Sequence, residues 1–341
     1  MKKRTNLKWI YISGLLIFVV SLTGFSKIKT DQTGISSNQK KTITKPHHTI
    51  WGTSSGAFPG EKITDLESWK RLNERVKSSN GGIALEGRRS YDRAIPSSWS
   101  TSAMAGDAGL CKVSFGSFKP NWTETVNGNN NEAMRNFIKS IPDDRIVYLT
   151  FYHEPEDNIT AQNSLDVLQK AFAKFVDIVL TSGKPNVHPC FVLMTWTFKP
   201  QSKRDPDNYN FAKYLKPGQL KEVIAGLDGY ADNPGVSAKE VFETGFAKIA
   251  TWGFTRFGIF ETGDHASATS PTLRSSWIKD FGQWVKSRND IELVSWFNNG
   301  NGQHAGPKGW YLGTWTKNGD NFILDDEDGT IAAYAQLLKN K

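Results

Sequence analysis

Two cysteines, Cys111 and Cys190, are too few to staple a chain of 341 residues, so a disulfide scaffold is excluded. Histidine is also sparse, at six, and no pair has metal-ligand spacing. His153-Glu154-Pro155-Glu156-Asp157 begins like a zinc-protease helix, but Asp157 stands where the second histidine belongs and Pro155 breaks the helix. Gly300-Asn301-Gly302 is not followed by a helix pattern, which leaves a dinucleotide site unsupported. No metal or organic cofactor is expected.

Net charge is missing from most of the chain. The total is +8, with 42 Lys+Arg against 34 Asp+Glu, yet nine of those bases and one of the acids lie within residues 1–45. The remaining 33 of each sign cancel. A nucleic-acid surface is therefore not indicated. Long apolar runs are limited to one, residues 9–25, which follows Lys2, Lys3, Arg4 and Lys8. A basic start and about 17 uncharged residues read as a signal peptide or a short membrane anchor. Residues 26–46 are polar and read as a flexible tether, leaving 47–341 as one folded domain. The expectation is an exported monomer, extracellular or held at the cell surface.

What is abundant is aromatic: twelve Trp, nine Tyr and twenty Phe, enough for a large core. From residue 47 the chain repeats a short β-rich run, a polar loop and a stretch with helical period. The runs are 48–52, 82–86, 110–115, 145–152, 189–196, 223–230, 257–261 and 291–296. Capping boxes start helices at Thr64-x-x-Glu67 and Ser237-x-x-Glu240, and Pro271 opens another. Leu165, Leu168, Phe172, Phe175, Val176 and Val179 form one amphipathic face that stops at Gly183. A last helix falls near 330–338. Eight such units predict a single (β/α)8 TIM barrel, and weak second and fifth helices leave an open α/β sheet as the alternative. Cys111 and Cys190 fall in predicted strands three and five, as buried thiols rather than a bridge.

In a barrel, chemistry sits at the C-terminal ends of strands. Strand four ends in His153-Glu154, strand six in Asp228-Gly229-Tyr230, strand seven in Glu261 and strand eight at Trp296. Two carboxyls across one mouth suit glycosidic cleavage, one protonating the leaving oxygen and the other attacking carbon or activating water. Trp51, Trp196 and Trp296 are candidate platforms for sugar rings. Glu243, in a second Phe-Glu-Thr-Gly, falls inside the helix capped by Ser237 and reads as structural. Gly52-Thr53-Ser54-Ser55-Gly56 matches a serine-hydrolase elbow, but no helix pattern follows it.

The set of groups resembles the clan A glycoside hydrolases and, through His153-Glu154 and Asp228-x-Tyr230, family 26 among them. That resemblance implies a retaining, endo-acting enzyme on β-linked polysaccharide such as mannan, β-glucan or an exopolysaccharide. It implies Glu154 as acid/base, Glu261 as nucleophile, Tyr230 orienting the nucleophile, and Trp296 flooring the cleaved sugar's subsite. Two departures are visible. Family mannanases usually carry Arg three residues before the His, where this chain has Thr150. They also carry Trp shortly after the acid/base, where it has Glu156-Asp157-Asn158-Ile159. A carbohydrate-binding protein on a glycosidase-like barrel, and a serine hydrolase using Ser54, are the competing readings.

Overall fold

The computed structural model describes residues 48–58, 60–264, 270–299, 309–318 and 321–339. The expected leader, tether and Gly300-Asn301-Gly302 lie outside the described residues. Among the described residues no helix is long and apolar enough to cross a membrane.

Eight parallel strands follow one another around a closed barrel. They are β1 (Ile50–Ser55), β2 (Gly87–Asp92), β3 (Val113–Phe118), β4 (Ile146–Phe151), β5 (Val187–Met194), β6 (Ile224–Ala231), β7 (Phe257–Asp264) and β8 (Ile291–Asn298). β8 pairs back onto β1 from Ile50↔Leu293 to Ser55↔Asn298. This is the (β/α)8 TIM barrel that the repeat predicts, and closure disposes of the open sheet. The helices are α1 (Asp65–Asn80), α2 (Trp122–Asn127), α3 (Asn131–Ser140), α4 (Leu165–Thr181), α5 (Ala238–Thr251), α6 (Pro271–Lys286) and α7 (Thr330–Lys339). After β2 and β5 only short 3-10 turns occur, which is where helical periodicity is weak in the sequence. An antiparallel hairpin, β9 (Thr314–Asn318) with β10 (Asn321–Asp325), follows β8.

Local chemistry accounts for the boundaries. Thr64 Oγ1 accepts from Glu67 N at 3.2 Å while Glu67 Oε2 accepts from Thr64 N at 2.8 Å, so the first turn of α1 closes on both sides. Ser237 and Glu240 do the same for α5. Gly81 ends α1 at φ 80°, a left-handed cap that glycine adopts without a side-chain clash. The second strand is displaced from its predicted place at 82–86. Asn80 Oδ1 accepts from Ile83 N and Asn73 Oδ1 from Leu85 N, both at 2.8 Å, so α1 side chains take those amides before any strand partner can. The ladder begins at Gly87.

Alternation along the strands divides the core. Ile50, Val113, Phe115, Ile146, Tyr148, Cys190, Val192, Ile224, Phe260 and Leu293 fill the barrel interior. Phe115 is accommodated because Gly87 faces it: a Cβ there would lie 2.5 Å from its ring. A larger cluster packs the outer strand face against the helices, led by Trp51, Trp69, Phe172, Trp277, Trp296 and Tyr334. Cys111 and Cys190 are free and buried, with Cys111 two residues before β3 rather than inside it.

Candidate active site

The C-terminal mouth of the barrel gathers Glu154, Asp228 and Glu261, one carboxyl oxygen of each lying within 4.8 Å of the others. β4 supplies Glu154 through a tight kink. Tyr152 and Glu154 adopt φ of 54° and 48°, left-handed values that cost a non-glycine residue about 1 kcal/mol or more. The kink is anchored where Glu154 N donates to Val192 O at 3.2 Å. β7 supplies Glu261 through a bulge. Leu227 pairs with Ile259 but Asp228 pairs with Glu261, so Phe260 is the extra residue. Phe260 fills the barrel interior, and the bulge turns the next residue inward too, which strict alternation would forbid.

Glu261 is held by three donors. Tyr91 Oη donates to Oε1 at 2.6 Å, Tyr230 Oη to Oε2 at 2.7 Å, and Arg89 Nε to Oε1 at 3.3 Å. Arg89 is fully buried in β2, with Nη2 3.8 Å from Asp228 Oδ2. Burial works against its charge, but Tyr91, Asp228 and Glu261 more than offset this and raise its pKa. Burial, and next the charge of Glu261, push Asp228 well above the ordinary carboxyl range.

Glu154 differs in kind from Glu261. Its half-buried carboxyl is desolvated and then repelled by Glu261 and Glu156, which together push it up to about 8. Such a group carries its proton at neutral pH and can deliver it. His153 is driven the other way, well below its usual value, by burial and then by Arg89 and Lys119, so it faces the site as a neutral ring 5.2 Å from Tyr91. Glu156 lies beneath, pushed up to about 7 by burial, while its Oε1 accepts from Met194 N at 2.7 Å and Thr197 Oγ1 at 2.9 Å. Those two bonds flank Trp196, which stands 45% exposed on the turn after β5.

The mouth therefore brings together Glu154, Glu261, His153, Asp228 and Tyr230, with Trp196 on its rim. It does not receive Trp51 or Trp296. Trp51 is 2% exposed and packs edge-on to Phe281 and Tyr334. Trp296 is 0% exposed, packs on Trp277 and Tyr334, and donates Nε1 to Trp310 O at 2.7 Å. Both alternate outward, into the helix layer. The aromatic residue that β8 presents beside Tyr230 is Phe297, at 6.0 Å, with Trp310 5.0 Å from the same ring. Ser54 lies buried inside β1, and α1 starts only at Asp65, so the nucleophile-elbow geometry is absent. Glu243 sits in α5 and pairs with Arg288 at 3.0 Å. The residues missed in the sequence are Arg89, Tyr91 and Glu156. The i, i+2 spacing of Arg89 and Tyr91 would have put both on one strand face had 87–92 been read as the strand.

No protein-family model matches the chain, and no curated protein matches it. Solved structures do. Fungal β-1,4-galactanases superpose with a TM-score of 0.54 at 12% identity, over 84% of this chain and 99% of theirs. A β-glucosidase superposes with a TM-score of 0.51 at 10% identity, over 85% of this chain and 98% of its own. The fold is one that glycoside hydrolases use. At these identities the likeness extends to the barrel alone.

Proposed function

We propose that the chain is a retaining glycoside hydrolase acting on a β-linked polysaccharide, with Glu154 as acid/base and Glu261 as nucleophile. The observation that carries this reading is that an oxygen of Glu154 and an oxygen of Glu261 lie within 4.8 Å of each other, with the Glu154 carboxyl raised to about 8. Retaining enzymes hold their carboxyls about 5–5.5 Å apart, whereas inverting ones need about 6.5–9.5 Å for an intervening water. Glu261, aimed by Tyr91, Tyr230 and Arg89, attacks the anomeric carbon. The glycosidic C–O bond breaks, and the Glu154 proton passes to the leaving oxygen. Water then attacks the glycosyl ester, gives its proton back to Glu154, and releases Glu261. None of these steps calls for a metal or cofactor. His153-Glu154 and Asp228-x-Tyr230 favour a family 26-like arrangement, and the basic, apolar leader favours action outside the cell or at its surface.

The test is reducing-end release by residues 46–341 on mannan, mixed-linkage glucan, xylan, galactan and bacterial exopolysaccharides. Glu154→Ala and Glu261→Ala should each reduce turnover by roughly 10³-fold or more. Azide should partly restore Glu261→Ala, giving a glycosyl azide of inverted configuration. Activity that survives both substitutions sinks the assignment. Binding without turnover on every polymer would favour a carbohydrate-binding protein instead.

A further inference from the structure

Beside the acid/base, the ends of β2, β3 and β4 line an open recess of about 360 Å3 that the hydrolytic chemistry does not use. That volume is within the range of small-molecule sites, about 300–1,000 Å3. Arg93, Lys119, Asn121, Trp122, Tyr152 and Asn163 line it. One side of it is formed by Tyr152, half-buried, which packs edge-on to the buried Trp122 at 4.9 Å. Lys119 Nζ stands 5.2 Å over the Tyr152 ring.

The charge of this cavity is one-sided. Among the described residues, neither Arg93 nor Lys119 has a carboxylate within ion-pair distance. Nearby Asp92 is turned away, accepting from Ser102 Oγ at 2.7 Å and Ala103 N at 2.9 Å. On the loop after β5, by comparison, Arg204 pairs with Asp157 at 2.6 Å and Lys199 with Asp232 at 3.9 Å. Two unmatched cations, one of them held over the Tyr152 ring, therefore suit an anionic ligand. The cavity also adjoins the reacting centre. Tyr152 is two residues from Glu154, and the charge of Lys119 reaches both His153 and Glu154.

We infer that this cavity is a subsite for a sugar carrying a carboxylate or similar anionic group, its charge between Arg93 and Lys119. The substrate class is then an acidic β-glycan rather than a neutral one, a conclusion that rests on the glycosidase reading of Glu154. Nucleic acid does not fit, since two cations on an otherwise neutral body make no phosphate track.

Binding to the Glu261→Gln protein separates recognition from turnover. The probes are neutral β-1,4-glucan, β-1,4-mannan, β-1,3-glucan and galactan, each paired with its C6-carboxylated form, with sulfated forms as a further arm. At least one carboxylated polymer should bind about tenfold tighter than its parent at low salt, and the gap should close near ~0.5 M salt. Arg93→Gln with Lys119→Gln should erase the gap without lowering Tm, and the single variants carry the test if the double variant fails to fold. The sulfated arm tells a general anion site from one shaped for carboxylate. No preference in any pair, or a preference that survives the double substitution, overturns the subsite. Wild-type turnover is scored separately: anion-selective binding with no hydrolysis would refute the enzyme and leave the subsite standing.

Discussion

Arg88 and Arg89 are adjacent in β2 and both are buried, yet they face opposite sides of the sheet and live in different electrostatic worlds. Arg88 points outward, where Nε donates to Asp107 and Nη2 to Ala103 O. Asp107 also accepts from Ser114 Oγ at 2.6 Å, so its carboxylate is paired on both oxygens. Arg89 points into the mouth, where among the described residues neither Nη1 nor Nη2 is hydrogen-bonded and both oxygens of Asp228 lack donors. A buried polar group left unmade costs about 1–3 kcal/mol. The outer cluster holds the fold together. The inner one leaves polar capacity unspent beside Glu261.

Substituting each arginine in turn tests that contrast and should give the largest effects. Arg88→Met leaves buried Asp107 with only Ser114 and the more distant Arg145 at 4.0 Å, and should lower unfolding free energy by about 3 kcal/mol, with turnover per folded molecule within about twofold of wild type. Arg89→Met should instead reduce turnover by roughly 10²–10³-fold by loosening Glu261. It should cost less stability, because Arg89 leaves Nη1 and Nη2 without hydrogen-bond partners among the described residues, whereas Arg88 is bonded through Nε and Nη2. Urea unfolding and initial rates on one substrate decide it. Equal losses of turnover in the two variants would erase the distinction between the faces.

The sequence made the frame legible because barrel strands and capped helices leave local signatures. Thr64-x-x-Glu67, Ser237-x-x-Glu240 and the α4 stripe fell where the helices are. Strand ends then pointed to Glu154, Asp228, Tyr230 and Glu261. β2 was not legible. Its run Gly87-Arg88-Arg89-Ser90-Tyr91-Asp92 contains no aliphatic residue, because inward Arg89 and Tyr91 hold Glu261 while outward Arg88 binds Asp107 and Asp92 binds Ser102 and Ala103. The apolar 82–86 stretch beside it attracted the assignment instead. Trp296 was misplaced for a different reason: a strand's direction in sequence does not say which face looks into the mouth. The bulge at Phe260 shows how one extra residue resets that choice.

The two tryptophans at strand ends sharpen the contrast further, with smaller effects. Trp296→Phe should lower stability by about 1–3 kcal/mol, since it loses packing on Trp277 and Tyr334 and the bond to Trp310 O, while KM stays unchanged. Trp196→Ala should do the reverse. KM should rise about three- to tenfold from lost stacking on a sugar ring, with stability changed by less than about 0.5 kcal/mol. A stable, high-KM Trp296→Phe protein would return Trp296 to the site.

The smallest effect concerns Glu156, which belongs to both regions: its Oε1 braces the Trp196 turn and its charge bears on Glu154. With a pKa of about 7 in the fold against 4.5 for a free carboxyl, the folded chain retains a proton between those values that the unfolded chain has released. Folded-state proton uptake in that window means that stability falls as pH rises from about 4.5 to 7. Gln at this position keeps an acceptor for Met194 N and Thr197 Oγ1 and carries no titrating charge. The stability of Glu156→Gln relative to wild type should therefore grow by roughly 1–2 kcal/mol between pH 5 and pH 8. The basic limb of activity, set by loss of the Glu154 proton near pH 8, should move to lower pH because one of the charges raising Glu154 is gone. Thermal unfolding at the two pH values and a pH–rate profile read both effects. A flat stability difference with an unmoved limb would mean that Glu156 is only a brace for the loop and that its charge does not reach the acid above it.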